Sequence, residues 1–141
     1  MYHVFEHLGA DTQTFLSIIQ EIYRVSANGA QILITVPHPR SDGYCGDPTH
    51  VRPINPAIMS LFSMKMNRDW ALKGWANTPL ASYLCVDFDL SDYTMNLMPY
   101  WLQKRQNGEL SDEELNFALN SHFNVINEVS ITLTACKPWQ P

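Results

Sequence analysis

The sequence predicts an α/β fold, the later portion of a doubly wound sheet, and three observations carry that expectation. Residues 31–36, Gln-Ile-Leu-Ile-Thr-Val, form an apolar run closed by Pro37. An amphipathic helix leads into it through a short connection, and helix, turn and apolar strand is the repeating unit of such sheets. Only Met1 to Gly9 stand ahead of the helix. A strand this apolar is expected to have cover on both faces and a parallel strand on each side. The start at Met1 leaves most of that company unsupplied, so the expectation is a single, incomplete domain over 1–141.

The elements follow in order. Asp11 is a suitable N-cap, because its carboxylate can accept from the free N–H groups of a first helical turn. Phe15, Ile18, Ile19, Ile22 and Tyr23 recur at helical spacing as one apolar stripe. Ser26-Ala27-Asn28-Gly29 ends the helix, with Asn28 or Gly29 suited to a left-handed cap. Residues 37–56 form a long loop rich in Pro, Gly and Asp, a length often functional in compact domains. Asn55-Pro56 starts a helix that carries Ala57, Ile58, Leu61, Phe62 and Met64 and frays near Asn67. Residues 68–82 have no decisive pattern. Leu84, Val86, Phe88 and Leu90 alternate with polar residues and predict a strand over 83–90. Residues 95–106 have helical character interrupted by Pro99, and Ser111 with Glu114 forms a capping box for a helix carrying Leu115, Leu119 and His122. The final strand runs over 125–135, with Ile126, Val129, Ile131, Leu133 and Ala135 as its buried positions.

Composition narrows the function classes. The 141 residues are 45% hydrophobic and 16% charged, as in a globular protein and unlike a disordered one. A net charge of −5 argues against nucleic-acid binding, which calls for a basic face. No apolar run approaches the ~20 residues that span a bilayer, and the N-terminus has no signal-peptide pattern. Cys45, Cys85 and Cys136 are isolated and odd in number, which fits neither a disulfide framework nor a CxxC metal site and points to a reducing cytoplasm.

Four fragments, in order, resemble the class I S-adenosylmethionine (SAM)-dependent methyltransferases. His3-Val4-Phe5-Glu6-His7-Leu8 is similar to the family's H-V-x-E-H-L after its fourth strand. Glu21 to Ala30 resembles E-x-x-R-V-L-K-P-G-G, and Ile32 to Pro37 resembles L-x-I-x-V-P. Asp47-Pro48-Thr49-His50 is similar to the D-P-T-H loop of a subset of these proteins. The ordered match covers about the first 55 residues. It implies a partial Rossmann-like sheet, from the end of strand 4 through strands 5, 6 and 7, with flanking helices. The family's glycine-rich donor loop, of the kind G-x-G-x-G, occurs nowhere in this chain. The resemblance therefore implies the C-terminal portion of a SAM-dependent methyltransferase acting on a small molecule or sugar, not competent alone.

Two clusters are candidates for chemistry. His3, Glu6 and His7 are expected to line the donor crevice, because ligands of open α/β sheets sit outside the carboxyl ends of strands. A helix beginning near His3 would set His3 and His7 on one face with Glu6 as a third ligand; crevice lining is preferred, and no metal is assigned. His50, oriented by Asp47, is the first candidate for the base that removes the acceptor's proton, and His38 the second. The competing structural reading makes 47–50 a plain turn, with Asp47 bonding backbone N–H groups. Trp70, Trp75, Tyr100 and Trp101 could shape an apolar acceptor pocket or serve as packing. Two alternatives stand beside methyl transfer. One is a non-catalytic module that dimerises through an exposed sheet edge or joins a missing N-terminal half; the other is a metal-dependent hydrolase using His3, His7 and His50.

Overall fold

Residues 126–135 alternate apolar and polar side chains, and they become the central strand of a three-stranded sheet. The computed structural model describes residues 1–140. Strand β1 (Gln31–Pro37), strand β2 (Phe88–Leu97) and strand β3 (Ile126–Ala135) lie in the order β1-β3-β2. Both outer strands run antiparallel to β3, with Ile34 opposite Ile131 and Phe88 opposite Ala135. β1 and β2 therefore point the same way. The final strand is as expected: Ile126, Val129, Ile131, Leu133 and Ala135 are all buried.

The environment of β1 corrects the expectation of a parallel strand covered on both faces. Its hydrogen-bonded partner is antiparallel, and its one parallel contact is the bridge between Tyr2 and Thr35. Ile32, Ile34 and Val36 are buried, whereas Leu33 is 61% exposed. Cover comes to one face from helix α1 (Thr12–Val25), whose Phe15, Ile19 and Tyr23 join those β1 side chains in the core. Apolar content alone does not distinguish a strand buried on two faces from one that carries an exposed leucine.

Helix α1 begins as its sequence dictates, but its C-cap is Ser26 in the extended region, not a left-handed Asn28 or Gly29. Asp11 accepts from Thr14 N at 2.8 Å, and Gly29 turns the chain into β1 at φ +79°. Gly29 N also donates to Ala135 O at 2.8 Å, which ties the turn to β3. Gly9 matters for a different reason. Its φ is +67°, and a Cβ there would lie 2.6 Å from Phe15 N, so only glycine lets the segment before α1 fold back against it.

Between β1 and β2 the structure differs from the sequence reading at two places. A short helix, α2 (Asp42–Cys45), occupies the long loop. The helix starting at Asn55-Pro56 is capped as expected, with Asn55 accepting from Ile58 N. It does not run to Asn67: α3 (Pro56–Ser60) stops, and Ser63 caps a second helix, α4 (Met64–Leu72). Buried Phe62 anchors the break, and Met64 N donates to Asp87 Oδ1 at 2.9 Å. The strand expected over 83–90 is realised only from Phe88 onward; 83–84 end a helix and 85–87 are a turn and irregular chain. Helix α5 (Leu80–Leu84) closes on Cys85 in the left-handed region, φ +53°, and β2 starts only at Phe88. β2 then runs through Met95, where helical character was expected, because β3 offers a ladder along its whole length.

Helix α6 (Pro99–Gln106) begins at the proline expected to interrupt it, since a first helical position needs no N–H donor. Helix α7 (Asp112–Ser121) has the full reciprocal capping box of Ser111 and Glu114. No helix among the described residues is long and apolar enough to cross a membrane.

Urea denaturation followed by circular dichroism tests the one-sided cover of β1. Ile131→Ala, at a central position 1% exposed, should cost about 2–5 kcal/mol. Leu33→Ala, on the open face of β1, should cost less than about 1 kcal/mol.

Candidate functional site

Two loops leave the sheet on one side and meet. The first is the segment through Tyr2, whose parallel bridge to β1 is held by His3 N donating to Thr35 O and Thr35 N donating to Met1 O. It ends in a single 3-10 turn, Phe5–His7, that points Phe5 and Glu6 inward. The second follows β1 and carries α2, Asp47 and His50. The two are joined by Val51 N and Arg52 N, both donating to the Glu6 carbonyl, at 2.9 and 3.3 Å. That junction places His50 against Glu6, although 44 positions separate them in the chain.

His50 is held on three sides. Its side chain is 5% exposed. Tyr44, on α2, stacks on its ring with centroids 5.2 Å apart. Its Nδ1 lies 2.7 Å from the Tyr44 carbonyl. A carbonyl only accepts, so Nδ1 bears the hydrogen and Nε2 of the neutral ring bears a lone pair. That lone pair faces Asp47 Oδ2 at 3.8 Å and Glu6 Oε1 at 4.0 Å.

His7 repeats the pattern. Its Nδ1 is 3.2 Å from Thr49 O and 3.0 Å from Thr49 Oγ1. The Thr49 hydroxyl hydrogen is engaged by Asp47 Oδ1 at 2.6 Å. His7 Nδ1 must therefore donate, and its Nε2 lone pair faces Glu6 Oε1 at 4.0 Å. The His7 and His50 rings are 4.6 Å apart at their centroids.

Asp47 takes the turn-forming role and lies beside His50 without a hydrogen bond to it. Its Oδ1 accepts from Thr49 N and Thr49 Oγ1, the turn-forming role, while Oδ2 remains beside His50. Those Thr49 hydrogen bonds, side chain first, hold its carboxyl below the usual carboxylate range, and nearby His50 and His7 add to the effect.

The remaining candidates separate. His3 does not share a helical face with His7. It sits in the left-handed region, φ +49°, outside the 3-10 turn, and its Nε2 bonds Glu128 Oε1 at 2.8 Å. Its Nδ1 is 3.4 Å from Glu6 Oε1. His38 is not part of the cluster. Its Nδ1 accepts from Arg40 N, and its ring lines a separate hollow of about 210 Å³ with Arg40, Met95, Leu119 and His122. Burial, then the Arg40 charge, lowers its pKa. Tyr100 and Trp75 are mostly exposed, and Trp101 donates to Asn124 O and lines a cleft between α6 and α7. The roomier clefts thus lie away from His7 and His50. Glu6, His7, Asp47 and His50 form a tight, half-buried cluster.

Sequence reasoning missed Tyr44 as the ring that positions His50 and Glu128 as the partner of His3; it joined His7 to His50 only in the metal-hydrolase alternative. Their meeting follows from the single parallel bridge between Tyr2 and Thr35, which releases both loops at the same sheet edge.

No protein-family model and no curated protein matches this chain. Among solved structures, the fold resembles a SAM dependent methyltransferase from Archaeoglobus fulgidus, with a TM-score of 0.52 and 21% sequence identity. The likeness covers 95% of this chain and 57% of that protein, so this chain spans little more than half of its neighbour's length. At that identity the likeness establishes a shared α/β fold.

Two predictions follow from the cluster's geometry. Long-range 1H–15N spectra, recorded where the rings are neutral, should show His7 and His50 as Nδ1–H tautomers; an Nε2–H signal for His50 would refute the assignment. Because the folded Asp47 carboxyl titrates below its unfolded value, its contribution to stability is present above the unfolded carboxylate pKa of about 3.9 and is lost as pH falls through the folded value. Asp47→Asn should therefore flatten the acid limb of the stability–pH curve.

Proposed function

We propose that this chain is the acceptor-side, C-terminal portion of a SAM-dependent methyltransferase that acts on a small molecule or sugar, and that it binds the methyl donor weakly or not at all by itself. The observation that carries this reading is the overlay of nearly the whole chain on about half of a methyltransferase fold. Two features support it. The Tyr2–Thr35 bridge sets a short parallel segment on the outer edge of β1, where a doubly wound sheet would continue. The 141 residues contain no G-x-G-x-G loop to cradle the donor's amino-acid part.

The reaction is an in-line displacement. The acceptor's oxygen or nitrogen bonds to the sulfonium methyl carbon, the carbon–sulfur bond breaks, and the electron pair leaves on sulfur. The acceptor's proton passes to His50 Nε2, the nitrogen left with a lone pair by the Tyr44 hydrogen bond. Asp47 Oδ2 and Glu6 Oε1 stabilise the imidazolium formed. His3 and His7, whose side chains are each 35% exposed, line the donor crevice, with Glu6 backing them from beneath.

A second reading is a homodimer or a separate N-terminal half packed beside β1, where Leu33 is 61% exposed on the open face near Met1 and Gln31. Such a partner would pair with the edge by displacing or extending the Met1–His3 segment that bonds Leu33 O and Thr35. Sedimentation velocity over a range of concentrations distinguishes the two: a persistent monomer leaves the separate half.

Calorimetric titration of the chain with SAM should show no micromolar one-to-one site, and such a site would overturn the incompleteness. When a donor-binding half of the same fold is supplied, labelled methyl should pass from SAM to a hydroxyl or amine acceptor. His50→Gln should slow that transfer roughly 10²–10⁴-fold. Absence of labelled product across sugars and small hydroxy and amino compounds would refute the reaction.

A further inference from the structure

Glu6 presents an unresolved charge. It is 0% exposed, and neither of its carboxylate oxygens has a hydrogen-bond partner. A buried carboxylate requires a proton, a cation or donated hydrogen bonds. The nearest nitrogens do not supply the last of these. The Nδ1 atoms of His7 and His50 donate away from Glu6, to Thr49 and Tyr44 carbonyls. His3 donates through Nε2 to Glu128. In their neutral forms all three rings turn lone pairs toward one carboxylate oxygen, His3 Nδ1 at 3.4 Å and the two Nε2 atoms at 4.0 Å.

The geometry points to a divalent transition-metal site made by Glu6, His7 and His50. One ligand atom from each lies within 4.8 Å of the others. Metal-binding imidazoles characteristically donate their second N–H to a backbone carbonyl or carboxylate, which fixes the tautomer and the ring. Both histidines already do so. A tetrahedral ion with bonds of about 2.0–2.1 Å sets its ligands roughly 3.3 Å apart, so the pairs now at 4.0 Å close by about 0.7 Å. Two imidazoles and one carboxylate suit zinc or ferrous iron and leave positions open. Asp47 Oδ2, 3.8 Å from His50 Nε2, flanks the site with further negative charge.

This site goes beyond the methyl-transfer reading and stands on side-chain geometry alone. The open position would take an oxygen donor such as an acceptor hydroxyl and lower its pKa. Occupation uses the His50 lone pair, so with the ion present proton removal no longer falls to free imidazole.

The test uses chain purified without a histidine tag and dialysed against chelator. Titration with Co²⁺ should give saturable, one-to-one d–d absorption, without thiolate charge-transfer bands, that Zn²⁺ displaces. Zn²⁺ should also raise the thermal midpoint. Glu6→Gln and His50→Gln should each weaken Zn²⁺ binding at least about tenfold, on the scale of lost ligand-sphere groups, while His122→Asn leaves it unchanged. No saturable signal, a thiolate signature from Cys45, Cys85 or Cys136, or unaltered binding in His50→Gln overturns the site. The Co²⁺ spectrum of the unsubstituted chain decides the matter even if Glu6→Gln does not fold. Labelled-product assays read methyl transfer separately, so either idea can fail alone.

Discussion

The insertion of β3 between β1 and β2 is the interaction on which the fold depends. β1 and β2 point the same way and make no ladder with each other; β3 supplies the backbone partners of both. It also contributes five buried side chains to the core that α1 covers. These pairings span long stretches of chain, so their loop-closure entropy must be offset by apolar burial. Val129, Ile131 and Ala135, all nearly inaccessible, mark where that burial is greatest.

The same sheet positions the chemistry. β1 and the segment through Tyr2 run in parallel, so both release their loops at one edge. The Glu6 carbonyl then accepts two backbone N–H groups from the second loop and locks the loops together. With the backbone so engaged, the Glu6 carboxylate has nowhere to go but inward. The cluster is therefore a consequence of main-chain hydrogen bonding as much as of side-chain identity. Its tautomers are set the same way, by carbonyls of residues 44 and 49 that can only accept.

Local signals were read well where the physics is local. The Asp11, Asn55 and Ser111 caps and the alternating final strand are all as the sequence implies. The failures share a cause. Period-two alternation over 84–90 was real, but buried Ala81 and Phe62 held its first half as a helix and a turn. Met95 joined a strand because β3 reached it. The apolar run of β1 does not reveal its neighbours, and one face of the strand stays open at Leu33. In the candidate site, Asp47 and His50 are neighbours, His3 reaches Glu6 from its far side while bonding Glu128, and His38 lies in a separate hollow.

Local sequence carries the α/β character, the N-terminal caps, the buried face of β3 and the two motifs that bear the histidines. These depend on spacings of a few residues, over which side chain and backbone constrain each other directly. The antiparallel pairing of β1 with β3, the approach of His7 and His50 to one carboxylate and the stacking of Tyr44 on the His50 ring arise only in the packed chain. Those outcomes depend on which distant segments compete for the same hydrogen bonds and the same buried space, and that competition is settled only when the whole chain packs.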